Sequence, residues 1–225
     1  MIDTYIVIPA WNEEKTISKV IQDLKDNNFN NIVVVDDGSK DNTTKIAKEQ
    51  GVTVLNHIIN RGQGAAIQTG TEHALKQGAE IIIHFDADGQ FKAEEIQKMI
   101  KPVAEEDYDI ALGSRFLGQT INIPPLKKLT LKGGIIFTRI FSNIKLTDTH
   151  NGFRALTKKA AKEIEITQDE FAHASEILDL IKKKNLKYKE IPVTVVYSDY
   201  AKTKGQSILN SVRIIKDLII RKITK

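Results

Sequence analysis

The stretch Ile81-Ile82-Ile83-His84-Phe85-Asp86-Ala87-Asp88-Gly89-Gln90-Phe91 constrains the fold more than any other. An apolar run closed by a glycine turn reads as a buried strand, which places Asp86 and Asp88 at its carboxyl end. In open α/β sheets, ligands bind just outside that edge. Two carboxylates one residue apart stay ionised readily only with a cation between them or with good hydrogen bonding. An acidic turn that caps the next helix has the same sequence, and the tripeptide by itself leaves both readings open.

Two earlier runs repeat the pattern. Tyr5-Ile6-Val7-Ile8-Pro9 leads to Ala10-Trp11-Asn12-Glu13, and Ile32-Val33-Val34-Val35 leads to Asp36-Asp37-Gly38-Ser39. After the first, Asn12 is the expected N-cap of a helix with Glu13 and Glu14 in its first turn and Ile17, Val20, Ile21 and Leu24 on one face. After the second, a helix starts at Asp41 or Asn42 and ends at Gly51, and Val52–Leu55 forms a third strand. Arg61-Gly62-Gln63-Gly64 turns into a helix that stops at Gly78. Ile96, Met99, Ile100 and Val103 mark another helix, and Ile110–Gly113 a further strand. Strands alternating with helices of this length predict a mostly parallel sheet covered on both faces. Asp148 to Arg154 reads as a polar turn, Glu170 to Lys184 as a helix, and Tyr188 to Tyr197 as a strand that Pro192 puts at an edge. No Gly-x-x-x-x-Gly-Lys-Ser/Thr loop is present, and no Gly-x-Gly-x-x-Gly follows the first strand, so P-loop and dinucleotide-fingerprint sites are not expected.

The 225 residues carry a net charge of +4, placed unevenly. Residues 202–225 hold seven Lys/Arg and one acid, a local +6 that leaves 1–201 at −2. The expected division is therefore a catalytic domain over 1–201 and a basic amphipathic helix over 202–225, with Ile208, Val212, Ile215 and Ile219 along one face. Pro124 to Thr147 is likewise basic, free of acids and rich in aliphatics. Such helices lie in a membrane interface or cover a sheet, and the pattern fits both. There is no cysteine, hence no disulfide framework or thiolate site. No signal-peptide pattern opens the chain, and no run of about 18 apolar residues predicts a membrane span.

Six segments occur in order: Ile8-Pro9-Ala10-Trp11-Asn12-Glu13-Glu14, Val35-Asp36-Asp37-Gly38-Ser39, Gly62-Gln63-Gly64-Ala65-Ala66, Asp86-Ala87-Asp88-Gly89-Gln90-Phe91, Gly113-Ser114-Arg115 and Asn151-Gly152-Phe153-Arg154. Together they resemble the family 2 glycosyltransferases of GT-A fold, and within these the dolichyl-phosphate or polyprenyl-phosphate mannose and glucose synthases. The resemblance implies an inverting, metal-dependent transfer of a hexose from a nucleotide diphosphate sugar, of GDP-mannose or UDP-glucose type, to a polyprenyl phosphate. It implies a nucleotide-sugar site from Pro9, Ala10, Asn12, Glu13, Asp36, Asp37, Gly64, Asp86, Ala87 and Asp88. Asp88 would bind Mg²⁺ or Mn²⁺ with help from Gln90, and Asp86 would face the ribose or a metal-bound water. Arg115, Arg154 and Lys204 are candidates for holding the acceptor phosphate. Asp86, Asp88, Arg115, Asp148 and Glu176 are the catalytic candidates, with Asp148 and Glu176 the acids that could serve as base or orient an arginine. The implied setting is cytoplasmic and peripheral on the membrane face, in glycan assembly at the cell envelope, with a separate membrane subunit as a further partner and no nucleic acid. The rivals are the same fold acting on a saccharide or protein acceptor, a non-catalytic nucleotide-sugar binder, and a sugar-1-phosphate nucleotidyltransferase. The last of these would want a Gly-rich loop and a basic residue where Pro9-Ala10-Trp11-Asn12 stands.

Overall fold

A computed structural model describes residues 2–142, 144–169 and 172–197, without the side chains of 137–142. The expected C-terminal helix and Lys204 lie outside the described residues.

The apolar runs become β1 (Thr4–Ala10), β2 (Ile32–Asp36), β3 (Thr53–Asn56) and β4 (Ile81–His84), followed by β5 (Ile110–Ile121), β6 (Arg154–Thr157) and β7 (Tyr188–Val196). They form one seven-stranded sheet in the order β3-β2-β1-β4-β6-β5-β7. All pairings are parallel except those of β6 with β4 and β5. The helices are α1 (Ile17–Asp26), α2 (Thr43–Glu49), α3 (Gln63–Lys76), α4 (Ile96–Glu105), α5 (Pro125–Ser142), α6 (Lys158–Glu163) and α7 (His173–Lys183). A mostly parallel sheet flanked by helices is the fold class expected.

Alternation along the strands splits the core in two. Ile6, Ile8, Ile81, Ile83 and Phe85 pack with α1 and α4 on one face. Val7, Ile82, Leu112 and Leu156 pack with α3, α6 and α7 on the other. Helices on both faces explain why β2 and β4 are apolar at nearly every position.

Three expectations are corrected. Asn12 does not cap α1: its φ is +53°, and the helix starts only at Ile17. The reason is a tie to the next strand end, since Asn12 N–H donates to Ser39 Oγ (2.8 Å) and Lys40 N–H to Asn12 Oδ1 (2.8 Å). Arg154 opens a strand rather than closing a turn, and α6 follows that strand directly. β5 runs to Ile121, well past Gly113, with a register shift against β7 between Ser114 and Gln119. Pro192 does lie on the edge strand, β7.

Candidate functional site

The carboxyl ends of β1, β2 and β4 come together as their shared direction requires. Pro9 and Ala10 pair in register with Val35 and Asp36, and Asp37 N–H donates to the Ala10 carbonyl (2.8 Å). Glu13 is nearly buried: its N–H donates to Thr43 Oγ1 (2.7 Å), and its carboxylate accepts from Thr16 Oγ1 (2.9 Å). Asp36 accepts from the hydroxyls of Ser39 and Thr44. Asp37 holds the loop after β3, accepting from Arg61 N–H (2.9 Å) and Gly62 N–H (2.6 Å) and pairing with His57 Nδ1 (2.7 Å). In this structure both aspartates hold the loops after β2 and β3 from within. Trp11 stands beside them, 49% exposed.

Phe85 and Phe91 bracket the Asp86–Gln90 turn, and both pack on Phe153 with ring centroids 5.1–5.7 Å apart. Gly89 takes the left-handed conformation that the turn needs (φ +73°). Gln63, at the start of α3, donates from Nε2 to Asp86 Oδ1 (2.9 Å). On the other side a Cβ at Gly152 would lie 2.4 Å from Asp86 Oδ2, so only glycine lets that loop close on the carboxylate. Gln90 N–H donates to Asp88 Oδ1 (3.0 Å) and its carboxamide nitrogen to Oδ2, which directs the carboxamide oxygen elsewhere. Ala87 between them is buried. Burial and the charge of Asp88 push the Asp86 carboxyl up to about 7, and burial also raises Asp88. Two carboxyls so disfavoured as anions fit a divalent cation, which would relieve both. Among the described residues no three His, Cys, Asp or Glu gather. A cation here would therefore be held by Asp88 and by oxygens of a bound diphosphate; Gln90, expected to help hold it, instead donates to both Asp88 oxygens.

Arg115 and Arg154, two of the candidates for an acceptor phosphate, are both buried, and the charges of both are felt at Asp86 and Asp148. Arg115 is buried and turned inward: Nε donates to Asp148 Oδ2 (2.6 Å), Nη1 to Tyr197 OH (2.7 Å) and Nη2 to the His150 carbonyl (3.0 Å). Asp148, 1% exposed in its side chain, also accepts from Arg115 N–H (3.0 Å). Arg154 lies opposite His84 across the β4–β6 pair, on the face shared with α3, and is 3% exposed. Glu176 accepts from Thr167 N–H (3.0 Å) and Gln168 N–H (2.9 Å), which fixes the loop before α7. That loop crosses Gly64, where an added Cβ would lie 2.0 Å from the Gln168 carbonyl oxygen. Gly64→Ala is therefore expected to cost about 1–3 kcal/mol through backbone displacement. Urea unfolding measures it, and an unchanged midpoint would contradict the packing.

Sequence reasoning did not single out Lys127. It lies on α5, its charge is felt at both Asp88 and Arg115, and its ammonium sits 5.1 Å from the Tyr197 ring centroid. Burial, then Arg115, lowers its pKa. One lysine in an acid-free run carries no sequence signal of that position.

The family model described as glycosyl transferase family 2 matches residues 5–165. The chain belongs to that family. The enzyme is similar to the UDP-N-acetylglucosamine–dolichyl-phosphate N-acetylglucosaminyltransferase of Methanococcus voltae, 34% identical over 98% of this chain and 96% of that protein. It is also similar to the dolichol-phosphate mannosyltransferase of Pyrococcus furiosus, 33% identical over 95% of this chain and 63% of the relative. Among solved structures, glucosyl-3-phosphoglycerate synthase of Mycobacterium tuberculosis, in a complex with Mn²⁺, UDP and glucosyl-3-phosphoglycerate, superposes with a TM-score of 0.75. That match covers 96% of this chain and 77% of that one at 14% identity, and it shows the transferase to have the GT-A fold. Among the described residues, no helix is long and apolar enough to cross a membrane.

Proposed function

We propose that the enzyme moves a hexose from a nucleoside diphosphate sugar to a polyprenyl phosphate, with inversion and with Mg²⁺ or Mn²⁺ at Asp88. The observation that carries this reading is Lys127: a cation at the Asp88 site is mounted on a helix whose outer face is apolar. Leu126, Leu129 and Ile136 of α5 are 57–68% exposed, and Lys128 and Lys132 stand exposed among them. A face of that kind suits an anionic membrane surface, where each basic residue is worth about 1 kcal/mol. The enzyme would act from the cytoplasmic face as a peripheral protein.

A phosphate acceptor also suits the acids. A sugar hydroxyl needs a general base, yet Asp148 is paired with Arg115 and Glu176 holds a loop. A phosphate is already anionic and needs only to be held in line with the anomeric carbon. Lys127 would hold the acceptor phosphate. Arg115, fixed by Asp148 and Tyr197, would supply positive potential behind it. Trp11 offers a ring for the base to stack on, and Asp37 shapes the loop beside it. The cation, when bound, neutralises charge that develops on the departing diphosphate.

Lys127→Ala is expected to raise KM for a short-chain polyprenyl phosphate at least about tenfold, the loss of one charged hydrogen bond. Its effect on donor KM should be smaller. Steady-state kinetics with each substrate varied in turn would check this; an acceptor KM left unchanged would remove Lys127 from the acceptor site.

A further inference from the structure

Arg115 lies where β5 leaves its ladder. The register of β5 against β7 breaks between Ser114 and Gln119. Irregularities of this kind re-aim a side chain and leave backbone groups to be satisfied elsewhere. Arg115 N–H goes to Asp148 Oδ2, and Leu117 N–H goes to Ser114 Oγ (3.2 Å). Ser114 is fully buried, and its hydroxyl meets Thr147 Oγ1 at 2.7 Å. Thr147 gives its own hydroxyl hydrogen to Glu190 Oε1 (2.7 Å), so Ser114 is the donor between the two hydroxyls. The donors run in one direction, from Leu117 through Ser114 and Thr147, and end on the Glu190 carboxylate.

The same carboxylate holds the partner of Arg115. Thr147 N–H donates to Glu190 Oε1 (2.9 Å), and so does Asp148 N–H (3.1 Å). Asp148 is thus fixed by Glu190 at its backbone and by Arg115 at its side chain. Two supports of the Arg115 guanidinium, the break in β5 and the loop that carries Asp148, meet at one half-buried residue of the edge strand. That loop also reaches the donor side, where Gly152 closes on Asp86. Its far end is tied down without Glu190: Phe153 N–H donates to Asn151 Oδ1 (3.0 Å), and the Phe153 carbonyl accepts from Gly113 N–H (2.9 Å). Removing the Glu190 carboxylate therefore releases Arg115 far more than Asp86.

We propose that Glu190 is a positioning residue of the acceptor side, which aims the Arg115 guanidinium by anchoring the break in β5 and Asp148 together. This deepens the proposed function and rests on its reading of Arg115 as the positive potential behind the acceptor phosphate. Oε1 takes all three donors, while Oε2 takes only a share of Thr147 N–H (3.0 Å). The position thus needs an acceptor oxygen more than it needs a charge. Glu190→Gln keeps that oxygen, and Glu190→Leu removes it.

The test reads Arg115 first and the acceptor second. Hydrogen exchange at Arg115 Nε–H, followed by NMR on the full chain and assigned by its loss in Arg115→Lys, reports whether the guanidinium stays on Asp148. Glu190→Leu is expected to speed that exchange, and to raise KM for a short-chain polyprenyl phosphate, at least about tenfold each, the scale of a lost charged hydrogen bond. Glu190→Gln should bring both back to within about threefold of the parent. Affinity for UDP and GDP with Mn²⁺, by calorimetry, should stay within about twofold in both variants, a split that general loosening of the fold would not produce. In an Arg115→Lys background, Glu190→Leu should raise the acceptor KM no further. Thr147→Val cuts the hydroxyl relay and keeps both N–H groups; it is the second variant if Glu190→Leu does not fold, and should shift exchange and KM in the same direction. Unchanged exchange at Arg115, or an equal loss of acceptor and nucleotide binding, would overturn the assignment. Faster exchange with the acceptor KM unchanged would leave Glu190 as the anchor of Arg115 and sink the acceptor role of Arg115 instead.

Discussion

Asp88→Asn is expected to lower kcat for sugar transfer by at least about a thousandfold, the scale of losing the electrostatic stabilisation of a developing charge. The substitution keeps the volume and one acceptor oxygen, so the turn that Gln90 N–H closes on Oδ1 can persist. What it removes is the negative charge that a divalent cation needs. Nucleoside diphosphate affinity should then become insensitive to added Mn²⁺, while the circular dichroism spectrum stays that of the parent. Activity within tenfold of the parent, or undiminished Mn²⁺-dependent binding, would remove Asp88 from the metal site. Asp86→Asn should behave differently. Its carboxyl is pinned between Gln63 and Gly152, and it is the group whose charge burial and Asp88 most disfavour. Its loss should perturb donor binding more than Mn²⁺ affinity.

The second large effect is on stability. Asp148→Ala should destabilise the fold by about 3–5 kcal/mol, because it strands a buried guanidinium. Arg115 gives Asp148 both its backbone N–H and its Nε, and its two remaining nitrogens donate to Tyr197 and to the His150 carbonyl. Breaking the pair therefore loosens the junction of β5, the end of β7 and the 148–151 loop at once. Urea unfolding gives the value, since a change in midpoint at constant slope reads stability directly. The double variant Arg115→Met/Asp148→Leu should recover most of the loss in stability, because no unpaired charge is then left inside. A single variant as stable as the parent would show that the pair is not held as described.

These two aspartates show what a sequence can and cannot tell. Asp88 was legible because an apolar run stops at it, and strand direction alone brings it to the edge shared with Ala10 and Asp36. Asp148 was legible only as an acid near a turn; its partner lies 33 residues away on β5, and nothing local announces the pairing. Glu176 and Asp37 follow the same logic: residue type suggested chemistry, while their backbone partners are set by loops that only tertiary packing positions. β6 escaped notice because four residues, Arg154 to Thr157, carry too little pattern to separate strand from turn. Asn12 misled because a good N-cap residue is equally suited to a left-handed turn. Lys127 is one lysine among several in its run, and its place near Asp88 and Arg115 comes from how α5 packs. Gly64 and Gly152 could be read as turn formers, but not as the points where a carbonyl and a carboxylate press against the backbone.

The central claim is that a sugar held at Asp86 and Asp88 is transferred to a lipid phosphate at Lys127. The most direct measurement follows radiolabel from a nucleoside diphosphate sugar, with Mn²⁺, into polyprenyl phosphate, polyprenol or a saccharide offered in parallel. The account predicts label in the organic phase with polyprenyl phosphate alone, lost in Asp88→Asn. Label carried into the saccharide, or equally into polyprenol without its phosphate, would contradict it.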